Sequence, residues 1–160
     1  MNKIKHLLLL VCIAGCFAAC KKTTNNNFDY QAQFNSDTTA IRKFIVANKI
    51  PALKDKSGVF YQIILPGTGT TTYTSTTSIT ANYEGRLLNG TVFGTSGTTP
   101  FTFTLPGVIV GWQIGIPYIQ KGGQIRIIIP SYYGYANSSP SSTIPANSIL
   151  DFTITLTDVQ

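Results

Sequence analysis

Apolar residues recur at helical spacing in one segment of the first third of the chain. Asp37 is a residue type that caps helices, and Ile41 and Phe44 then follow one helical face until Pro51 ends the segment. This pattern predicts one amphipathic helix over residues 38–49. Such a helix can pack back on its own domain or pair with a second copy, and its short length favours packing back.

From Gly58 onward the apolar pattern is that of β-strands. The predicted strands lie at 59–65, 79–83, 101–105, 124–129 and 150–156. The Asn89-Gly90 pair predicts a hairpin, and the four-residue spacing of Val108 and Trp112 predicts a short helix. The predicted fold class is α+β, with a twisted antiparallel sheet of five to six strands wrapped around one short helix. The N-terminal amphipathic helix precedes this unit.

The N-terminal residues follow the pattern of an export signal. Lys3 and Lys5 precede an apolar run over 7–15, which is too short to cross a bilayer by itself. Small residues then lead to Cys20, and this ending resembles the lipobox at which bacterial lipoproteins are acylated and cleaved. The alternative is an ordinary cleaved signal followed by an incidental cysteine. We expect a lipidated Cys20 that anchors the protein in the bacterial cell envelope, facing the periplasm or at the outer membrane.

Four segments are therefore predicted along the chain. Residues 1–19 form the lipoprotein signal peptide. Residues 20–36 form a flexible tether, because the stretch after Cys20 is polar and low in complexity. Residues 37–57 hold the N-terminal helix and a linker, and residues 58–160 form the β-rich domain.

The residue inventory excludes several kinds of chemistry. His6 is the one histidine of the chain and lies in the predicted signal peptide, so no imidazole remains for a catalytic triad or a zinc site. The formal charge is +6, but the basic residues are scattered, which argues against nucleic-acid binding. No metal or organic cofactor is implied. The candidate groups that remain are aromatic, aliphatic and backbone groups, which suit a reaction without proton transfer.

Several local motifs in the β-rich region share the order and spacing of one known family. Residues 82–93 resemble a Tyr-x-Gly-x-Leu-x-x-Gly-x-x-Phe run, and residues 108–112 resemble a Val-Ile-x-Gly-Trp motif. The further matches are a Phe-x-Phe strand, a Tyr-Gly loop and a closing segment, at 101–103, 130–135 and 144–152. With these motifs, the region 58–160 resembles the FKBP family of peptidyl-prolyl cis-trans isomerases.

The resemblance implies an enzyme that isomerises Xaa-Pro bonds of proline-containing polypeptides in an aromatic pocket, assisting the folding of exported proteins. It implies that the Ile109 amide and the Tyr133 hydroxyl bind substrate carbonyls and that Trp112 forms the pocket floor. The residues implied as catalytic are Tyr83, Phe93, Ile109, Trp112 and Tyr133. The residues implied to bind substrate are Phe101, Val108, Ile144 and Phe152. Binding of macrolide inhibitors is implied as well.

One position departs from the family pattern. The family usually has an aspartate directly after the pocket phenylalanine, and this chain has Gly94 there. Loss of that polar contact predicts weaker macrolide binding and weaker catalysis, by about ten- to a hundredfold if the contact acts in the transition state. One alternative is a peptide-binding chaperone with little catalysis. Another is an unrelated β-rich domain, such as a surface adhesin or a glycan-binding lipoprotein.

Taken singly, the aromatic residues have simpler interpretations. Trp112 and the phenylalanines suit a hydrophobic core, because aromatic side chains are normally buried. Their joint order and spacing favour a pocket instead. Tyr132 and Tyr135 suit either an exposed binding surface or packing within their own loop.

Overall fold

The computed structural model of the protein describes residues 28–160. The predicted signal peptide, the predicted lipidation of Cys20 and the first part of the predicted tether lie outside these residues. Within them, no helix combines the length and the hydropathy that crossing a membrane requires.

One antiparallel sheet of seven strands is the main element of the described part of the chain. Its strands are β1 (Leu53–Lys54), β2 (Phe60–Leu65), β3 (Ser78–Leu87), β4 (Val92–Thr95), β5 (Phe101–Thr104), β6 (Gln124–Ile129) and β7 (Leu150–Val159). They are ordered β1-β2-β6-β7-β3-β4, and β5 also pairs with β3. The predicted α+β class is confirmed. The sheet exceeds the predicted five to six strands because β1, with two residues, is too short to show alternation.

The inner face of the sheet carries the main hydrophobic core. The long strands β3 and β7 pair from Ile79 opposite Val159 to Leu87 opposite Leu150. β6 directs every second residue into the core, because successive side chains on a strand point to opposite faces. The fully buried residues that β6 and β7 contribute to this core are Ile125, Ile127, Ile129, Leu150, Ile154 and Leu156.

The short helix α2 (Val110–Gly115) lies directly against β6. A methyl group at Gly111 would overlap the Ile129 side chain, and one at Gly115 would overlap Ile127. The two glycines therefore let the helix backbone approach the strand closely. The helix occupies the region between two strands where the sequence predicts one, and the sheet wraps around it.

The N-terminal helix α1 spans Tyr30–Ala47 and begins before the predicted start. Its N-cap is Asp29, whose carboxylate accepts a hydrogen bond from the Ala32 amide at 2.9 Å. The prediction of Asp37 as the N-cap is therefore wrong, and so is the prediction of a flexible tether over residues 30–36. Polar residues surround the few apolar positions in the first turns, so the apolar stripe there is too sparse to reveal the helix.

Helix α1 packs on the outer face of the sheet, the outcome that its short length favours. Ile41 from the helix, Phe60 from β2 and Ile128 from β6 are buried together with Ile50 in a second cluster. This cluster is separate from the main core. The sheet therefore has helix α1 on one face and helix α2 on the other.

Candidate active site

A cavity of about 440 Å³ is lined by residues of β3, β4, β5, β7 and α2 and of the loop between β6 and β7. This volume lies in the range of small-molecule and peptide pockets, roughly 300–1,000 Å³. Of the residues that the resemblance assigned, all except Tyr133 line it, namely Tyr83, Phe93, Phe101, Val108, Ile109, Trp112, Ile144 and Phe152. The remaining lining residues are Gly94, Gly107 and Tyr135. The structure thus brings together residues that are far apart in the sequence.

Trp112 forms the floor of the cavity and is 3% exposed. Its ring meets Tyr83, Phe103 and Phe152 nearly edge to face, with ring centroids at 5.3, 5.4 and 5.2 Å. Such pairs are favourable beyond the area that they bury, and they fix the orientation of the rings. The indole Nε1 has no hydrogen-bond partner among the described residues. The floor is therefore a rigid aromatic surface.

One wall of the cavity depends on a glycine in β3. The rings of Phe93 and Phe152 lie 5.3 Å apart, edge to face. A Cβ atom at Gly85 would lie 2.6 Å from the Phe93 ring and 2.7 Å from the Phe152 ring, which is closer than packed atoms come. Gly85 therefore leaves space for both rings above the strand. The packing of these two rings therefore requires a glycine at this position of the Tyr-x-Gly motif.

The cavity lining contains no charged side chain. Its open polar groups belong to the backbone and to tyrosine hydroxyls. Ile109 has extended backbone angles at the start of α2, and no backbone acceptor is bonded to its amide in the described part of the chain. The cavity can therefore surround an apolar group while it offers single hydrogen-bond donors to a carbonyl.

A serine that the sequence reasoning missed fixes the rim of the cavity after β4. The Ser96 amide donates to the Tyr83 carbonyl and the Tyr83 amide donates to the Ser96 hydroxyl, both at 3.0 Å. The Ser96 hydroxyl in turn donates to the Asn82 side chain at 3.2 Å. These bonds hold the backbone of Tyr83 in place, although nothing in the local sequence distinguishes Ser96 from its neighbours.

Tyr133, which the resemblance placed at the pocket, lies outside it. Its hydroxyl donates to the Ser57 carbonyl at 3.3 Å, and its ring packs edge-on against Phe34 of α1, with centroids at 5.9 Å. Tyr135 lines the cavity instead. Residues 131–133 form a turn of 3-10 helix, and the chain beyond it directs Tyr135 to the opposite side. The Tyr-Gly pair fits Tyr133 alone, because Tyr135 is followed by Ala136, so the motif selects the tyrosine that does not line the cavity.

Gly94 lies on the cavity wall with space around its Cα atom. A Cβ atom there would lie 3.7 Å from the Tyr83 ring and 3.8 Å from the Tyr83 hydroxyl, which are ordinary van der Waals distances. The backbone of Gly94 is also free of the left-handed conformation that excludes other residues. The absence of the family's aspartate therefore has no steric cause.

The fold and the cavity define a domain with an uncharged pocket between aromatic rings. Comparison with known families gives the class: the sequence matches the family described as FKBP-type peptidyl-prolyl cis-trans isomerase over residues 69–157. The chain belongs to this family. The alternative of an unrelated β-rich adhesin or glycan-binding domain is thereby wrong.

Individual relatives cover most of the described residues. The isomerase FkpA of Buchnera aphidicola subsp. Schizaphis graminum is 46% identical over 109 residues, which make up 67% of this chain and 43% of that protein. The crystal structure of FkpA from Escherichia coli superposes with a TM-score of 0.66 at 31% identity, covering 81% of this chain and 64% of that one. An isomerase structure from Pseudomonas syringae pv. tomato gives a TM-score of 0.67 at 29% identity, covering 79% and 95%. The chain spans about two fifths of the length of the curated relatives that it first matches, 43% and 38%.

Proposed function

We propose that the protein is a peptidyl-prolyl cis-trans isomerase that acts on proline-containing polypeptides and assists the folding of exported proteins. The observation that carries this proposal is the uncharged aromatic cavity over Trp112. Membership of the FKBP-type family supports the same activity. The following steps derive how these residues would perform it.

Rotation about an Xaa-Pro bond requires no acid, base or nucleophile. The barrier is about 20 kcal/mol because the amide has partial double-bond character, and the uncatalysed reaction takes tens of seconds. The twisted amide has lost its resonance. Surroundings that remove water from the carbonyl and hold the proline ring therefore favour the twisted state over the planar one. The lining of this cavity supplies such surroundings.

The aromatic side chains enclose the proline ring in this proposal. Trp112 is the surface on which the ring lies, and the rings of Tyr83, Phe93 and Phe152 surround it. These residues exclude water from the amide that rotates. The neighbouring substrate residues contact the rest of the lining, which includes Phe101, Val108 and Ile144.

Two hydrogen-bond donors orient the substrate backbone. The Ile109 amide lies at the cavity and donates to one substrate carbonyl. The Tyr135 hydroxyl takes the role that the resemblance assigned to Tyr133, because Tyr135 is the tyrosine of this loop that lines the cavity. Both donors orient the peptide backbone, and neither donor is charged.

Gly94 sets the strength of the proposed activity. A carboxylate at this position would lie beside the Tyr83 hydroxyl, and its absence removes a charge-assisted hydrogen bond from the pocket. We expect weak catalysis and weak macrolide binding. Peptide binding with little catalysis, as in a chaperone, is the second candidate function, and the uncharged lining is the observation that favours it.

The experiment that tests the proposal is the acceleration of Xaa-Pro isomerisation in a short peptide by the purified chain. Phe101 is 46% exposed, so Phe101→Ala removes a pocket ring with little effect on the core. We expect this variant to lower kcat/KM about tenfold, since half-burial of an aromatic ring contributes about 1.4 kcal/mol. Leu65→Ala, at 54% exposure away from the cavity, is the matched control. Equal activity of wild type and buffer would leave peptide binding as the function.

We also propose that Cys20 is acylated and anchors the protein in the cell envelope. Support comes from the small residues before Cys20 and from the short apolar run that precedes them. Labelled palmitate should be incorporated into the wild-type chain in bacterial cells and not into Cys20→Ser. Labelling of neither chain would support the ordinary cleaved signal, and equal labelling of both chains would mean that Cys20 is not the acylated residue.

A further inference from the structure

A buried carboxylate joins helix α1 to the loop that follows β6. Asp37 lies in the interior of α1 and is 3% exposed. One carboxylate oxygen accepts hydrogen bonds from the Ser131 amide at 2.7 Å and from the Ser131 hydroxyl at 2.6 Å. The other oxygen accepts a bond from the Gln33 side chain at 2.7 Å. Burial of a carboxylate is costly unless such bonds satisfy it, so this contact is a specific one.

Ser131 begins the pocket loop, which we define as residues 131–149 between β6 and β7. The Ala136 amide donates to the Ser131 carbonyl at 2.8 Å, and the Asn147 amide donates to the Ala136 carbonyl at 2.7 Å. These bonds connect the two ends of the loop to Ser131, and through it to Asp37. The loop carries two residues of the cavity lining, Tyr135 and Ile144.

The backbone of the pocket loop needs support from outside the loop. Ala136 and Asn147 have φ angles of +50° and +60°, in the left-handed region that residues with a Cβ atom rarely adopt. The Asn147 side-chain oxygen is buried without a hydrogen-bond partner among the described residues. A loop with these features adopts one conformation only where the surrounding structure holds it there.

Helix α1 also covers the outer side of the pocket loop with aromatic rings. Phe34 packs edge-on against Tyr132 and Tyr133, with centroids at 6.3 and 5.9 Å, and Tyr30 packs against Tyr132 at 6.0 Å. Helix α1 therefore contacts the outer side of the loop, while the loop's inner side lines the cavity. Asp37 and Ser131 are 3% and 1% exposed, so water is excluded from the bonds between them.

We propose that helix α1 holds the pocket loop in its binding conformation, and that Asp37 is the positioning residue through its bonds to Ser131. Asp37 is not part of the cavity lining. Its effect on activity rests on the proposed isomerase function. Its effect on the order of the loop does not, and the two effects are measured separately.

Hydrogen–deuterium exchange of the full chain measures the order of the loop without reference to activity. In Asp37→Ala, the amides of Gly134, Ala136 and Asn147 should exchange at least about tenfold faster, while amides of β3 and β7 keep their wild-type rates. Ile41→Ala is the matched control, because it truncates a buried residue of α1 that packs on the sheet. Wild-type exchange of the loop in Asp37→Ala, or the same pattern in both variants, would overturn the proposal.

A conservative variant separates positioning from general stabilisation. The side chain introduced by Asp37→Asn keeps one oxygen for the Ser131 donors, and its amide group can donate to the Gln33 side-chain oxygen after that group rotates. Asp37→Asn should therefore keep the slow exchange that Asp37→Ala loses. If Asp37→Ala fails to fold, Ser131→Ala removes the hydroxyl bond alone and should accelerate exchange in the loop by a smaller factor. Unchanged loop exchange in Ser131→Ala would then contradict the proposal.

Activity provides the second readout. Asp37→Ala should lower kcat/KM for an Xaa-Pro peptide about tenfold, mainly through KM, because a loop that must order on binding weakens ground state and transition state alike. Asp37→Asn should stay close to wild type. If the wild-type chain has no isomerase activity, the proposed function fails, and the exchange data alone decide whether Asp37 positions the loop.

Discussion

Gly94 is the residue at which the pocket can be changed by one side chain with a defined chemical result. We predict that Gly94→Asp raises kcat/KM for Xaa-Pro isomerisation by about tenfold, because a carboxylate beside the Tyr83 hydroxyl adds a charge-assisted hydrogen bond within the pocket. The measurement is the isomerisation rate of a short peptide at equal concentrations of both chains.

Thr95→Asp is the matched control for Gly94→Asp. Thr95 follows Gly94 on β4, is exposed, and accepts a hydrogen bond from the Gly97 amide that an aspartate can also accept. Thr95→Asp adds the same negative charge as Gly94→Asp, but at a residue outside the cavity lining. An equal gain in both variants would mean that the charge acts at long range, and no gain in Gly94→Asp would mean that the carboxylate has no role in this pocket.

A second residue-scale feature is a surface hydrogen bond from the Tyr118 hydroxyl to the Asp55 carboxylate, at 2.6 Å. Burial raises the pKa of Asp55, but hydrogen bonds from Ser57 and Tyr118 lower it by more, to about 2 from 3.8. The bond to Asp55, followed by burial, raises the pKa of Tyr118 to about 12. Both pKa shifts therefore mean that the folded protein favours an ionised Asp55 and a neutral Tyr118.

These pKa values predict how stability depends on pH. The folded-state pKa of Asp55 is below its unfolded value, so its contribution to the free energy of unfolding is full above about pH 4 and is lost as the pH falls toward about 2. Tyr118→Phe should flatten this decline, as measured by urea unfolding across that range. Tyr30→Phe, whose hydroxyl contacts Asn137 rather than a carboxylate, should keep the wild-type slope. Identical slopes for wild type and Tyr118→Phe would contradict the assignment.

At the scale of elements, the close contact of α2 with β6 is the feature most sensitive to added volume. Gly111→Ala places a methyl group against Ile129, and we predict that it lowers the free energy of unfolding by about 1–3 kcal/mol. Gly107→Ala is the control, because its Cβ atom would lie 3.8 Å from the nearest atom, the Thr104 hydroxyl oxygen. Urea unfolding measures the free energy of unfolding of both variants. Equal values would show that the Ile129 side chain moves aside for the added methyl group without loss of stability.

The elements that the sequence predicts are those whose pattern is local. Residues of β6 and β7 alternate between faces, and the Asn89-Gly90 pair marks the turn between β3 and β4, where Gly90 has a φ of +89°. The start of α1 has one local determinant, the Asp29 cap, and further contacts that no local window contains. Its first turns are held by Phe34 against the pocket loop and by Asp37 against Ser131, far along the chain.

At the scale of the whole molecule, the cavity shows which site residues a motif can and cannot assign. Phe93 and Trp112 were assigned through motifs of fixed spacing, and the fold places both in the lining. Tyr133 and Tyr135 flank one glycine, and the choice between them depends on helix α1, which covers Tyr133 from outside. Tertiary packing therefore determines which of the two tyrosines lines the cavity, and the local sequence does not show this packing.

The same two tyrosines allow the most direct test of the proposed function. Exchange spectroscopy by NMR on an Xaa-Pro peptide reports interconversion of the cis and trans forms at equilibrium, with a catalytic amount of the full chain added. We predict accelerated exchange with wild type and with Tyr133→Phe, and a loss of about tenfold with Tyr135→Phe, since a hydrogen bond to the substrate carbonyl is removed. Exchange at the rate of buffer alone with all three folded chains would contradict the proposed isomerase function.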